Sequence, residues 1–186
     1  MKLTRVVATF VAAFSLLLAS GAQAQQAPPF LPSYFSLSGG AYVPEGTDLD
    51  DNNADTGFVG LLNFGYMMNP FFGMQTDVGY FETSGDNNLN VSAIPIAVSF
   101  KVAIPIAFVE PYALGGFGVY FCQTEVDYGY ATVDDNTTEF AAHAAGGVNL
   151  NFGRFQLGVE TRYLWLEANS LNVDGFMVMG KIGSRF

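Results

Sequence analysis

The stretch Gly175–Phe186, GFMVMGKIGSRF, decides the fold, because its side chains alternate between two chemically different faces. The opposite face to Phe186 carries Lys181 and Arg185 among methionine and glycine. The face of Phe186 itself carries no charge, and it consists of Phe176, Val178, Gly180, Ile182, Ser184 and Phe186. Since successive residues of a strand point to opposite sides, the stretch predicts a β-strand in a wall between lipid and a polar interior.

The amino-terminal region has the pattern of an export signal. Lys2 and Arg5 precede a charge-free apolar run, and small residues that end at Ala24 predict cleavage after that residue. The run is about 14 residues long, whereas a helix needs roughly 20 to span a membrane, so a transmembrane anchor is disfavoured. We therefore expect a cleaved signal peptide at 1–24, a lead segment at 25–33 and one β-barrel domain at 34–186.

The overall composition combines many large apolar residues with an acidic charge. Half of the residues are hydrophobic and 18 are Phe, yet the formal net charge is −10. A barrel with a lipid-facing exterior needs such residues, because its apolar face lies outside. Cys122 is the only cysteine, so no intramolecular disulfide can form, whereas closing a barrel stabilises the chain by pairing every strand edge. Composition therefore favours a membrane barrel over a soluble exported domain.

Turn signals divide the domain into eight candidate strands, each long enough to cross a membrane at a tilt. They are 34–43, 57–67, 71–82, 91–104, 110–122, 139–151, 155–167 and 174–186. Short connections at 68–70, 105–109 and 153–154 alternate with longer polar ones at 44–56, 83–90, 123–138 and 168–173. This alternation is typical of barrels with long outer loops and short periplasmic turns. We predict an all-β fold, an eight-stranded antiparallel up-and-down transmembrane β-barrel.

Pro95 is the one residue that conflicts with this division, because it lies inside the fourth candidate strand. Proline has no N–H to donate to a strand ladder. We therefore expect the fourth strand to begin after Pro95 or to contain a bulge there.

Parity within the candidate strands separates an apolar row from a row that holds the charges. The apolar rows, which we expect to face lipid, include Phe58, Leu62, Phe64, Tyr66, Ile94, Ile96, Val98, Phe100, Val102, Phe117, Val119, Phe121, Phe155, Leu157, Val159, Tyr163 and Trp165. The opposite rows hold Asp77, Lys101, Glu110, His143, Glu160, Arg162 and Lys181, which we call the lumen charge network. An Arg or Lys facing lipid at mid-membrane would cost about 2–4 kcal/mol, so these residues are predicted to point inward.

The lumen of an eight-stranded barrel is only wide enough to be filled by side chains. A lone charge buried there would cost several kcal/mol, so the three acids and three bases of the network are predicted to pair. Glu160 and Arg162 lie two residues apart on one face and can share partners. Such a network could be a gated path for protons or ions, or a structural filling of the interior, and we favour the structural filling.

The longer connections and their flanks carry 14 of the 17 acidic residues, without any Lys or Arg. Crowded carboxylates repel each other and the phosphates of lipid A, so divalent cations are the expected mediators. Asp48, Asp50, Asp51 and Asp55 form a candidate divalent-cation loop, but it lacks the Gly and final Glu of an EF-hand. Solvated acidic loops that associate with cations are the favoured interpretation, and their charge argues against a nucleic-acid partner.

Nucleophilic catalysis finds little support in the sequence. A hydrolase site would need a Ser beside a His and an acid to orient that His. The only histidine, His143, is followed by two alanines, and parity points it into the lumen, away from acyl chains. Cys122 has no neighbouring base and is interpreted as a packing residue. We therefore expect no enzymatic activity, no cofactor and no metal centre.

The chain resembles the OmpA-like outer-membrane β-barrel domain, a group that includes small porin-family proteins. The matching stretches are YFSLSGGAY at 34–42, EPYALGGFGVY at 110–120, AGGVNLN at 145–151, GVETRY at 158–163 and the terminal Phe186. The resemblance implies an eight-stranded barrel with a charged interior, in which Glu160, Arg162 and Lys181 take part. It also implies that Phe186 acts as an assembly signal for the barrel-assembly machinery. The peptidoglycan-binding domain of full-length OmpA is not expected here, so a cell-wall tether is not predicted.

Two functions follow as hypotheses for a protein of the bacterial outer membrane, in contact with lipid and lipopolysaccharide. The first is a structural or surface-interaction role that displays acidic outer loops. The second is a narrow porin-like channel for ions or small solutes. Small inward residues such as Ser36 and Gly65 leave space for water, whereas Tyr42, Tyr112 and Tyr120 would block it. We favour the first, and a soluble eight-stranded carrier with its aromatic rows inside is a third option.

Overall fold

A computed structural model describes residues 30–45, 56–85, 89–127, 132–168 and 171–186. The predicted signal peptide and most of the lead segment lie outside these residues. In the described ranges, no helix is both long and apolar enough to cross a membrane.

The chain forms a closed antiparallel barrel of eight strands, as predicted. Each strand pairs with its neighbour along the chain, and the last strand pairs with the first to close the wall. The barrel strands are β1 (Ser33–Pro44), β2 (Gly57–Met67), β3 (Phe72–Gly85), β4 (Leu89–Ala103), β5 (Val109–Asp127), β6 (Thr132–Phe152), β7 (Phe155–Trp165) and β10 (Gly175–Arg185). Two short strands, β8 (Glu167–Ala168) and β9 (Leu171–Asn172), pair with each other between β7 and β10.

The two ends of the barrel differ in their connections. At the end that we call the turn end, short links join β2 to β3, β4 to β5 and β6 to β7, and Gly153 adopts a positive φ of 63° in the last of them. The opposite end, the loop end, holds the remaining links. Two of the predicted long connections there, 83–90 and 123–138, are in fact mostly strand, because β3, β4, β5 and β6 continue through them. The strand ends in these two segments are polar in sequence on both faces, so the alternation that marks a strand is missing there.

Pro95 neither precedes the strand nor marks a bulge, so both expectations were wrong. β4 begins at Leu89, and its register with β3 is the same on either side of Pro95. Only the ladder pairs at Gly79 and Tyr80 are missing, whereas the pairing with β5 is continuous. A strand residue directs its N–H toward one neighbour, so proline interrupts one ladder and leaves the other intact.

The predicted faces are confirmed on every strand where parity was applied. Phe58, Ile96, Phe117 and Val159 are among the outward residues, with 46–60% of their surface exposed. The inward residues fill the lumen. Toward the loop end they form one apolar cluster, the loop-end plug, made of Tyr42, Val59, Leu61, Phe81, Val91, Ala93, Tyr120, Cys122, Ala141, Leu164, Leu166, Val173, Met177 and Met179. Near the turn end a smaller cluster contains Tyr34, Met67, Ala103, Tyr112 and Leu114.

Candidate functional site

All seven residues of the lumen charge network lie inside the barrel, and each is at most 4% exposed. They come from six different strands, since only Glu160 and Arg162 share one. Alternation points each of them inward, but closure of the barrel is what brings them within reach of one another. Six of the seven make an ion pair with another lumen residue, and His143 is the exception.

Glu160 is the centre of the first ion group. Its Oε1 accepts hydrogen bonds from Arg162, at 3.1 Å from Nε and 2.8 Å from Nη2. Its Oε2 accepts from Lys181 Nζ at 2.8 Å and from the Tyr112 hydroxyl at 2.7 Å. Two cations and one hydroxyl therefore satisfy a single carboxylate, which is the arrangement that makes a buried ion pair tolerable.

Asp77 extends this group toward β1 and β2. Its Oδ2 lies 2.9 Å from Arg162 Nη2, a charge contact without the alignment of a hydrogen bond. Its Oδ1 accepts from Asn63 Nδ2 and Gln75 Nε2, each at 2.7 Å. The Ser38 hydroxyl donates to Asn63 Oδ1 at 2.6 Å, so the polar contacts continue from β3 across the adjacent strands β2 and β1.

Glu110 is the centre of a second ion group, nearer the turn end. Its Oε1 accepts from Lys101 Nζ at 3.1 Å and from Asn149 Nδ2 at 3.0 Å. Its Oε2 accepts from Arg185 Nη1 at 2.6 Å and, more weakly, from Asn151 Nδ2 at 3.5 Å. Arg185 also donates to the backbone oxygen of Leu31 at 3.3 Å, which ties the start of the domain to its last strand.

Tyr112 joins the two groups. Its ring lies 4.4 Å from Lys101 Nζ and 5.0 Å from Lys181 Nζ, so two ammonium groups contact one aromatic ring. Its hydroxyl also accepts from Lys181 Nζ at 3.1 Å. Cation–π contact with a desolvated ring is attractive, which helps the lumen hold two lysines close together. Once Arg185 is counted, the two ion groups contain three acids and four bases, all of them in ion pairs.

His143 stands apart from the ion pairs. Its Nε2 lies 2.7 Å from the Ser99 hydroxyl oxygen, while its Nδ1 is buried and has no hydrogen-bond partner among the described residues. In a Ser–His–acid triad an acid accepts from the second ring nitrogen and orients the ring, and no described residue takes that place at His143 Nδ1. The geometry therefore matches a polar packing pair in the lumen wall.

Sequence reasoning left several members of the network unassigned. Parity places Arg185 on the inner face of β10, and that signal is sufficient to include it in the network. Tyr112 was interpreted only as a side chain that fills space. Asn63 and Gln75 carry no charge and occur on inward rows, so only parity could have identified them as partners of Asp77.

The two remaining predicted sites have different outcomes. Asp48, Asp50, Asp51 and Asp55 lie outside the described residues, and within the described ranges no group of His, Cys, Asp and Glu is arranged to hold a metal ion. Phe186 is 55% exposed at the turn end. Its backbone exchanges two hydrogen bonds with Ser33, at 2.9 Å and 3.0 Å, so it continues the seam between the first and last strands.

Solved structures of small barrels share this architecture at low sequence identity. Neisserial surface protein A is 15% identical, with 83% of this chain and 97% of that chain covered and a TM-score of 0.64. Ail, the attachment invasion locus protein of Yersinia pestis, is 14% identical, with 84% and 99% covered and a TM-score of 0.58. OprG from Pseudomonas aeruginosa is 14% identical, with 84% and 97% covered and a TM-score of 0.57. A comparison with curated protein sequences gives no significant match.

The family of this chain follows from its sequence as well as from its shape. The family model described as "Outer membrane protein beta-barrel domain" matches residues 10–181, which is most of the chain. The closed eight-stranded wall, with apolar side chains outside and a paired charge network inside, is what such a domain requires. The chain therefore belongs to the outer membrane protein beta-barrel domain family.

Proposed function

We propose that this protein is a non-conducting, non-catalytic barrel that stabilises the outer membrane and presents an acidic surface at its loop end. The observation that carries the proposal is the filled lumen. Its charged side chains are paired, and the largest fully buried side chains among the described residues, including Tyr34, Tyr42, Phe81 and Tyr120, point into it. An eight-stranded barrel has little interior space, and among the described residues this filling supports a closed lumen.

The outward surface supports a structural role in the membrane. Large apolar residues cover the wall, including Phe64, Ile96, Phe117 and Ile182, each 46–59% exposed. Aromatic pairs support the wall near the turn end, where the Phe108 and Phe152 rings stack at 6.0 Å. These residues bury little against the protein itself, so lipid contact is their main source of stabilisation.

Single-channel recording tests the non-conducting role. The refolded protein is placed in a planar bilayer, and a heat-dependent gel shift verifies that the barrel is intact. We expect no discrete conductance steps from the wild-type chain. Reproducible steps, absent from a bilayer with heat-denatured protein, would contradict the proposal and favour the narrow channel for ions or small solutes.

The acidic loop end indicates the chemistry of the surface contact. Since no Lys or Arg occurs in 44–56, 83–90, 123–138 or 168–173, divalent cations are the natural bridge to lipopolysaccharide phosphates. One of the similar structures is Ail in complex with the heparin analogue sucrose octasulfate. For this chain the charge at the loop end disfavours a sulfated polyanion.

Binding to lipopolysaccharide-containing vesicles, with and without calcium, tests this contact. We expect binding that requires calcium, is lost with a chelator, and weakens when Asp48, Asp50, Asp51 and Asp55 are replaced by Asn. Equal binding in chelator would contradict cation bridging. The same assay with a heparin analogue is expected to give no binding.

Recognition of Phe186 by the barrel-assembly machinery is a further part of this proposal. Replacing Phe186 by Ala is expected to lower the yield of assembled barrel in cells while leaving refolding into detergent unchanged. A parallel loss of refolding in detergent would indicate that Phe186 acts through stability instead.

A further inference from the structure

Polar and apolar inward residues follow the same order on all eight barrel strands. On each strand a polar inward residue lies toward the turn end and an apolar one lies toward the loop end. The pairs, polar first, are Ser38 and Tyr42, Asn63 and Leu61, Asp77 and Phe81, Ser99 and Ala93, Glu110 and Tyr120, His143 and Ala141, Arg162 and Leu164, and Lys181 and Met179. The lumen therefore has the loop-end plug at one end and a polar layer below it, and the smaller apolar cluster near the turn end borders that polar layer on the other side.

The loop-end plug is a complete cross-section of the lumen, because every barrel strand contributes to it. Its members are at most 3% exposed. Three rings cross the interior in contact, since the Phe81 ring lies 5.0 Å from that of Tyr42 and 6.4 Å from that of Tyr120. The hydroxyl of Tyr42 donates to the Val173 backbone oxygen at 2.6 Å, which fixes one ring against the link between β9 and β10.

The polar layer can hold water more readily than the loop-end plug. It contains buried polar atoms that have no hydrogen-bond partner in the described part of the chain, among them His143 Nδ1, Asn149 Oδ1, Gln156 Oε1 and Arg185 Nε. Buried water commonly satisfies such atoms, whereas an apolar region without polar partners stays dry. An ion that has reached the polar layer meets ligands there, but in the plug it would lose its hydration without replacement.

We propose that the permeability barrier of this barrel is the loop-end plug, and that the lumen charge network is a hydrated layer that does not by itself seal the pore. The inference rests on the proposed non-conducting role and specifies where the closure lies. It makes opposite predictions for the two layers, since loss of plug volume opens a path and loss of a network charge does not.

Conductance of two variants tests the assignment. Phe81→Ala combined with Tyr120→Ala removes two rings from the centre of the plug, and we expect discrete conductance steps in a planar bilayer. Glu160→Gln removes the charge at the centre of the network, and we expect the bilayer to stay silent. Phe117→Ala, which truncates an outward ring 59% exposed on β5, is the matched control and is expected to stay silent.

Cys122 provides a second readout, because this thiol is 3% exposed within the plug and is the only cysteine. A small membrane-impermeant thiol reagent is added to the loop-end side of the inserted barrel. We expect no labelling of the wild type, of Glu160→Gln or of Phe117→Ala. We expect at least a tenfold faster labelling of the plug variant.

The outcomes separate the inference from the function on which it rests. Steps from the wild type would overturn the proposed function. If the wild type is silent but Glu160→Gln conducts or is labelled, only the plug assignment is overturned. The same holds if the plug variant folds but neither conducts nor is labelled. If the plug variant does not refold, the labelling of Cys122 in the folded wild type and in Glu160→Gln still tests the plug, because labelling of Glu160→Gln but not of the wild type would place the seal in the charge network.

Discussion

Gly115 and Gly116 are neighbours on β5, yet the two sides of the wall give them opposite surroundings. A Cβ added at Gly115, on the lipid side, would meet no atom closer than the His143 backbone oxygen at 3.9 Å. A Cβ at Gly116, on the lumen side, would lie 2.7 Å from the Ser99 hydroxyl oxygen. The pairs Gly39 and Gly40, and Gly146 and Gly147, repeat this contrast. The inner face of a narrow barrel is crowded, whereas the outer face has room that only lipid fills.

This contrast teaches that the same residue type is under different constraints on the two faces. On the lumen side, sterics and pairing limit each residue, because neighbouring strands and facing side chains are close. On the lipid side, polarity is the main limit, because size is absorbed by fluid acyl chains. Similar substitutions on the two faces of the wall should therefore lower the free energy of unfolding by different amounts.

The largest difference is expected when an inner carboxylate is compared with an outer one. Glu160→Ala leaves Arg162 and Lys181 without their shared partner, so it is expected to lower the free energy of unfolding by about 3–5 kcal/mol. Glu82→Ala removes an exposed carboxylate that accepts a hydrogen bond from the Tyr80 hydroxyl at 2.7 Å, and a change within about 0.5 kcal/mol is expected. Urea unfolding in phospholipid vesicles measures both, and equal losses would refute the contrast.

A charge placed on the outer face should be costly in proportion to its depth. Val98→Arg puts a guanidinium near the middle of β4, and a loss of about 2–4 kcal/mol is expected. Ile104→Arg puts the same group at the turn end, where about 0–1 kcal/mol is expected because the head can reach water. The same unfolding assay compares the two variants. A similar cost at both positions would mean that the wall does not span lipid in the way that its faces imply.

Substitutions of the adjacent glycines on β5 are expected to change the free energy of unfolding less, and they test steric crowding alone. Gly116→Ala forces the wall or Ser99 to move, and a loss of about 1–3 kcal/mol is expected from overpacking. Gly115→Ala adds the same methyl group to the lipid side and is expected to change stability by no more than about 0.5 kcal/mol. The midpoint of urea unfolding distinguishes them, and a larger loss for Gly115→Ala would reverse the assignment of the faces.

The smallest effect concerns a single neutral hydrogen bond. Ser38→Ala removes the donor that lies 2.6 Å from Asn63 Oδ1, and a loss of about 0.5–1.5 kcal/mol is expected. Asn63 keeps the Ser36 hydroxyl at 3.2 Å, which limits the cost. Ser184→Ala on the outer face of β10 is the control, and it is expected to be neutral or slightly stabilising because it removes a hydroxyl from lipid contact.

Much of the barrel was predictable because each strand has one face toward lipid and one toward a polar lumen. Its apolar and polar side chains therefore alternate strongly along the sequence. The assignment of Ile96 to lipid and of Lys181 to the lumen needs only parity, and the structure agrees. Parity fails where a strand continues into a segment that is polar on both faces. The ends of β5 and β6 were interpreted as a loop, since their sequence is polar on both faces and looks like a connection.

The sequence by itself determined the number of strands, the closure order and the face on which each charge lies, since each of these follows from spacing along the chain. Only the tertiary structure decided which charges meet. Arg162 reaches both Asp77 on β3 and its own neighbour Glu160, and Arg185 reaches Glu110 across the lumen. Those contacts depend on strand register and on the small lumen diameter, which bring together residues as far as 85 positions apart in the chain (162 − 77). The same geometry decided how Pro95 is accommodated, because a closed wall can give up one local ladder contact while the pairing on its other side holds the strand in place.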